Sequence, residues 1–187
     1  MTLSHALFPS MSRLTQVLMV LGGTLFIAIA AQISIPMIPV PMTLQTLAIL
    51  IVGLSFGARL GAATLLVYLA EGAMGLPVFA NGAGTLAYMM GPTGGFLLGF
   101  VLMAWLVGLA VETGIADRFA PTALVTLTIS ALLYIPGLLW PAVVMGKTWD
   151  VLWLHWMSPF LVGDAVKAIL AALIVTGGWA VMKARRG

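Results

Sequence analysis

The chain has 187 residues, 62% of them hydrophobic and only 7% charged, against roughly 25% charged in a typical soluble domain. That composition excludes a soluble globular domain and predicts an all-α integral membrane protein, read as one domain over 1–187. A net charge of +3 from scattered basic residues argues against a nucleic-acid-binding stripe, and the lack of cysteine removes disulfides, thiolate metal sites and cysteine nucleophiles together.

No charged residue lies between Arg13 and Arg59, and 72–111 and 119–146 are equally free of charge. The pattern predicts six helices at roughly 14–34, 43–57, 59–74, 92–113, 121–145 and 159–182. At the first of these, Arg13, the apolar run that follows it and "AIAA" at 28–31 together imitate a cleavable signal sequence. Its apolar run is long and the later segments need the membrane in any case, so it is read as a retained span. Gly22, Gly23, Ala28, Ala30 and Ala31 give it a smooth side suited to close helix packing, either within the chain or against a partner. "SIPMIPVP" then ends the helix, because proline removes backbone donors.

The second and third helices are short, which predicts tilting or incomplete spanning, and "FGARLG" separates them. "GLPVFANGAG" breaks the chain again with proline and glycine, and "IADRFAP" is a polar connection. "GPTGG" at 91–95 lacks the lysine of a phosphate-cradling loop and reads as a tight turn opening the fourth helix.

Six spans put both termini on one side, together with Arg13, Arg59, Arg118, Lys183, Arg185 and Arg186, leaving only Lys147 opposite. The bias of Lys and Arg toward cytoplasmic loops makes both termini cytoplasmic and turns the loops at 34–42, 75–91 and 146–158 outward. Trp140, Trp149, Trp153 and Trp156 cluster around the last loop, as interfacial indoles do.

Asp164 and Lys167 interrupt the last helix at a spacing that puts them on one face, near its outer end. A charge in the hydrocarbon region costs a few kcal/mol, so the pair must face protein or a wet cavity. It is either a structural pair that fixes packing or a polar contact for a ligand that carries both donors and acceptors. Asn81, in a Gly-rich outward loop, either contacts such a ligand or makes a tight Asn-Gly turn. Tyr88 reads as a stacking partner or an interfacial anchor; Gln32 and Gln45 line a cavity or cap helix ends. Glu71 is expected in solvent, and Glu112, Asp117 and Arg118 are expected as ordinary loop charge. His5 and His155 are isolated, which argues against a metal site.

Three function classes follow: a membrane protein that binds a small solute, an intramembrane hydrolase, or a structural subunit. No "GxSxG" occurs, neither histidine lies near a plausible serine, and no Walker A motif is present. The hydrolase is therefore disfavoured, no enzymatic activity is expected, and ATP-driven uptake requires another subunit.

"QISIPMIPVPMTLQT" (32–46), "GLPVF" (75–79), "GPTGGFLLGF" (91–100) and "GDAVK" (163–167) resemble, in order, the signature segments of the BioY family. These are the biotin-specific S components of energy-coupling factor transporters. The resemblance implies a six-helix S-component fold and capture of biotin, as transported ligand rather than cofactor, from outside the plasma membrane. It also implies coupling to a transmembrane T component and two ATPase subunits, with toppling in the membrane on docking. The family's polar contacts carry over to Asn81, Asp164 and Lys167, with Tyr88 a further candidate. Other S components share the fold and bind other small vitamins, which leaves a different vitamin as the alternative ligand. The family's Ala-x-x-x-Ala docking surface on helix one is replaced here by Gly23, Ile27 and Ala31 with Thr24 and Ala28 beside them. Phe96 stands where a tyrosine is expected, so no hydroxyl contact is assigned there.

Overall fold

The computed structural model describes residue 3 and residues 11–184. His5, Arg185 and Arg186 fall outside them. Among the described residues, seven helices of more than ten residues follow in chain order, with two four-residue ones between: α1 (Arg13–Gln32), α2 (Gln45–Phe56), α3 (Ala58–Ala73), α4 (Leu86–Met89), α5 (Gly94–Ala110), α6 (Phe119–Leu132), α7 (Tyr134–Val144), α8 (Trp149–Leu152) and α9 (Leu161–Ala184). The six expected segments are all present, with α6 and α7 together forming the fifth. They part at Leu133, where Pro136 supplies no amide to the Leu132 carbonyl; Pro141 lies inside α7.

Four segments are long and apolar enough to cross a membrane: Arg13–Gln32, Gly94–Ile115, Phe119–Val144 and Leu161–Ala184. With 12 and 16 residues, α2 and α3 are shorter than a full span. Leu66 of α3, and bulky side chains of α1 and α9 such as Leu18, Leu25 and Ile174, remain exposed to the surroundings. In a multi-pass membrane protein that surface faces lipid.

Helix α5 is the centre of the bundle. It buries 61% of its apolar window, against 28% for both α1 and α9, and it packs on α2, α3 and α7. Glycine permits this closeness: a Cβ on Gly53 would meet the Ala104 carbonyl at 2.8 Å, and one on Gly108 would meet Ala58 N at 2.3 Å. Helix α9 packs on α6 and α2. The buried Thr126 hydroxyl donates across to the Ala168 carbonyl at 3.0 Å, the kind of interhelical bond that holds helices together where apolar burial alone does not distinguish neighbour from lipid.

The all-α expectation has one small exception. The proline-rich loop folds as an antiparallel ribbon, Ser34–Ile35 against Met42–Thr43, in which Ser34 pairs with Thr43 and Ile35 with Met42. Pro36, Pro39 and Pro41 offer no amide, so the ladder stops after two residues a side. A second apolar cluster of Val40, Tyr134, Leu152, Trp156 and Phe160, joined by Met37 and Met42, holds this ribbon over the end of the bundle.

Candidate functional site

Asp164 and Lys167 lie one turn apart near the start of α9. Lys167 Nζ stands 2.6 Å from Asp164 Oδ1, and the two side chains are only 8% (Lys167) and 12% (Asp164) exposed. The Tyr134 hydroxyl donates to Asp164 Oδ2 at 2.6 Å, Thr46 Oγ1 donates to Oδ1 at 3.3 Å, and Lys167 Nζ donates to the Thr43 carbonyl at 3.1 Å. Residues from the ribbon, α2 and α7 thus converge on two charges of α9. A lone charge at mid-membrane costs about 2.5–3.5 kcal/mol on insertion scales, and pairing with hydrogen bonding offsets that cost. An ammonium has three donors and a carboxylate about four acceptor positions. After the bonds above, Lys167 keeps one donor and Asp164 one acceptor among the described residues.

The pair borders a cavity of about 560 Å³ of space unfilled by protein atoms, part of it open to the exterior. Its wall is mostly apolar, with Val40, Pro41, Phe79, Phe96, Leu97, Phe100, Leu133 and Phe160, and the polar lining comes from Thr43, Gln45, Thr46 and Thr93 besides the pair. Met42 lies against Gly163, where a Cβ would meet its sulfur at 2.9 Å, so the ribbon rests directly on α9.

Of the residues singled out from the sequence, Asp164, Lys167, Gln45 and Tyr88 line this cavity. Tyr88 stacks on Phe79 with ring centroids 5.6 Å apart. Gln45 is occupied: its Nε2 donates to the Tyr68 hydroxyl at 2.7 Å and its Oε1 accepts from Thr43 at 3.0 Å, while Tyr68 donates onward to the Val78 carbonyl at 2.7 Å.

Asn81 and Gln32 stand outside the cavity lining. Asn81 is exposed and left-handed (φ 58°, ψ 31°), and its Oδ1 accepts from Ser34 at 3.0 Å. Its backbone makes the turn, while its neighbour Ala80 borders the cavity. Gln32 is a strap: Nε2 donates to the Phe79 carbonyl at 3.0 Å, and Oε1 accepts from Gly82 N at 2.9 Å. It fixes the 79–82 loop to the end of α1.

The small-residue side of α1 turns inward. Gly23, Thr24 and Ala31 are buried and Ala28 is half-buried; a Cβ on Gly23 would meet Thr64 of α3 at 2.7 Å. In this arrangement Gly23 and Thr24 meet α3, while Gly22, Leu18, Leu21 and Leu25 of the same helix are exposed. Glu71, expected in solvent, is half-buried and accepts from the Thr24 hydroxyl at 3.1 Å. Glu112 is more than loop charge, since its Oε1 accepts from Ala58 N at 2.9 Å and so caps α3. Asp117 pairs with Lys183 at 2.5 Å, and this hydrogen bond holds its carboxyl below the usual carboxylate range. Among the described residues no cluster of histidine and carboxylate side chains could hold a metal.

Sequence reasoning missed Thr43, Thr46, Thr93 and Tyr134. A signal existed for one of them. The chain has only three tyrosines, and Tyr134 stands alone in a charge-free apolar stretch, where a hydroxyl needs a partner. All three reach this region: Tyr134 through Asp164, Tyr88 on the wall and Tyr68 through Gln45. Phe96, in the place expected to hold a tyrosine, contributes an apolar ring set edge-on to Tyr134 at 6.1 Å.

The family model described as "BioY family" matches residues 4–184. The chain belongs to the BioY family. Among similar curated proteins, the "Probable biotin transporter BioY" of Pyrococcus horikoshii is 35% identical over 153 residues, covering 80% of this chain and 89% of that protein. The "Biotin transporter BioY" of Rhizobium etli is 34% identical over 163 residues, covering 82% and 87%. The fold matches, with a TM-score of 0.75 and 25% identity, a crystal structure of the S-component for biotin from an ECF-type ABC transporter, across 95% of this chain and 96% of that one. The helical arrangement of this BioY member is therefore that of an ECF S component.

Proposed function

We propose that this chain captures biotin in the cavity beneath the proline-rich ribbon and serves as the membrane-embedded S component of a vitamin uptake transporter. The observation that carries the reading is the buried Asp164–Lys167 pair, which keeps one donor and one acceptor free at the edge of an apolar cavity. The ureido ring of biotin presents N–H donors and a carbonyl acceptor, which such a pair complements, while the fused rings and aliphatic chain suit walls such as Phe79, Phe100 and Phe160. Hydrogen bonds to charged partners contribute about 1.5–3 kcal/mol each, so a few suffice for tight binding in a largely apolar site. The names of the BioY relatives support the same ligand.

Both termini lie in the cytoplasm in this reading, because Arg13, Arg59, Arg118 and Lys183 all stand at helix ends away from the cavity. Biotin enters from the outer face of the plasma membrane, past Tyr88 and Asn81, whose amide nitrogen has no hydrogen-bond partner among the described residues. Release to the inside follows docking on a transmembrane T component driven by two ATPase subunits. The chain's part is binding and release, with no chemical change to the vitamin.

Calorimetric titration of detergent-purified protein with biotin, alongside other water-soluble vitamins, tests the assignment. Tight binding of biotin alone is expected; folded protein that gives no biotin signal refutes it. In vesicles, ATP-dependent uptake is expected only when the T component and ATPases are present. Robust ATP-dependent uptake by this chain alone would refute the coupling.

A further inference from the structure

Tyr68 of α3 is wholly buried and stands behind the cavity wall rather than in it. A buried phenol hydroxyl needs hydrogen-bond partners, and this one has two that belong to different parts of the wall. It donates to the Val78 carbonyl at 2.7 Å and accepts from Gln45 Nε2 at 2.7 Å. Val78 leads into Phe79 and Ala80, which border the cavity. Gln45 leads the other way: its Oε1 accepts from the Thr43 hydroxyl at 3.0 Å, and that hydroxyl oxygen accepts from Gln45 N at 3.1 Å. The Thr43 carbonyl in turn receives Lys167 Nζ at 3.1 Å. Bonded groups therefore run without a gap from the charged pair of α9, through the ribbon and α2, to the loop that follows α3.

Shape reinforces the same connection. Phe79 is wholly buried, meets the Tyr68 ring edge-on at 5.4 Å and stacks on Tyr88 at 5.6 Å. A Cβ on Gly72 would overlap its ring. Phenylalanine at 68 would fill the space as well as tyrosine does, but it would leave the Val78 carbonyl and the Gln45 amide without the group that joins them. With Tyr68 fully buried, bulk water does not replace those bonds. Both joined segments lie outside the long helices, and a wall already set when the ligand arrives avoids the ordering cost of binding.

We infer that Tyr68 is a positioning residue for the site. Without touching the ligand, its hydroxyl ties the ribbon wall at Thr43 to the wall at 78–80, so that the two hold one arrangement and open as a unit. The inference rests on the biotin reading above and concerns the scaffold around the ligand.

Calorimetry with biotin on Tyr68→Phe, Thr43→Val and the combined variant tests the tie. Tyr68→Phe is expected to bind biotin about three- to tenfold weaker, although the lost hydroxyl is out of the ligand's reach. Independent effects multiply, so the combined variant is expected to fall well short of the product of the two single losses. Hydrogen exchange in ligand-free Tyr68→Phe is expected to be faster than in wild type in both 42–45 and 78–83. A purely structural tyrosine would lower thermal stability and leave the affinity at its wild-type value, and that result overturns the inference. Losses that multiply, or faster exchange confined to one segment, overturn it too. If Tyr68→Phe does not fold, ligand-free wild type decides: the two segments are expected to open together, with a common temperature dependence of exchange, and independent opening overturns the inference. Absence of biotin binding by folded wild type is a different failure, which removes the functional reading while the exchange measurement still decides the tie.

Discussion

Helix α9 takes part in two Lys–Asp pairs with nearly the same separation, 2.6 Å for Lys167 with Asp164 of the same helix and 2.5 Å for Lys183 with Asp117 of the loop before α6. Their environments differ. The first pair is almost buried, while Lys183 and Asp117 are 62% and 32% exposed. Sixteen residues, about 24 Å of helix, separate the two lysines. At the exposed end water solvates both charges whether or not they meet, so the contact adds little. At the buried end each charge relies on its partners, and Tyr134, Thr46 and the Thr43 carbonyl are assembled from three other elements to provide them. The lesson is that the distance within an ion pair says little about its importance; the cost of leaving either member alone says much more.

Substitutions at the two ends sharpen that contrast. Lys167→Met or Asp164→Asn leaves a buried group without its counterion and is expected to weaken biotin binding at least tenfold, measured by calorimetry. Wild-type affinity in both variants would make the buried pair merely structural. Tyr134→Phe removes one hydrogen bond to Asp164 while the ion pair survives, so a smaller loss of about three- to tenfold is expected in the same measurement. An unchanged affinity would mean that Tyr134 does not help to position the carboxylate.

At the opposite end, Glu112→Ala removes the cap on α3 and is expected to lower stability by about 1 kcal/mol without changing biotin affinity. Thermal unfolding in detergent checks the first part, and a change in affinity would show that the two ends are coupled. Smallest of all, Asp117→Asn is expected to leave both binding and stability unchanged within error near neutral pH. Lys183 lowers the folded-state pKa of this carboxyl, so any stabilisation from the pair is present above the ordinary carboxylate value and is lost as the pH falls through the lowered one. A stability difference between wild type and Asp117→Asn that grows as the pH falls through the carboxylate range would contradict that sign.

Much of the scaffold was legible in the chain. The charge-free runs located the helical segments, and proline and glycine placed the breaks, because a backbone in lipid must satisfy its own polar groups. The shortness of α2 and α3 was equally visible. The split between α6 and α7 was less so, since prolines can kink a membrane helix as well as end it. The site was only partly legible. Asp164 and Lys167 stood out because charge is expensive in that setting, whereas Thr43, Thr46 and Thr93 resemble ordinary helix-end or loop threonines until the fold gathers them.

The sequence by itself determined that this is a membrane protein, where its helices run, and that one turn of α9 carries two charges needing partners. Local spacing and transfer energy are enough for that. Only the tertiary structure decided which way each face turns. It put Gly23 and Thr24 of α1 against α3, directed Asn81 Oδ1 to Ser34, gave Glu112 to the amide of Ala58, and brought the Tyr134 hydroxyl to Asp164 from thirty residues away. Those outcomes depend on how helices rotate and pack against one another, and such contacts between distant residues leave no periodic mark along the chain.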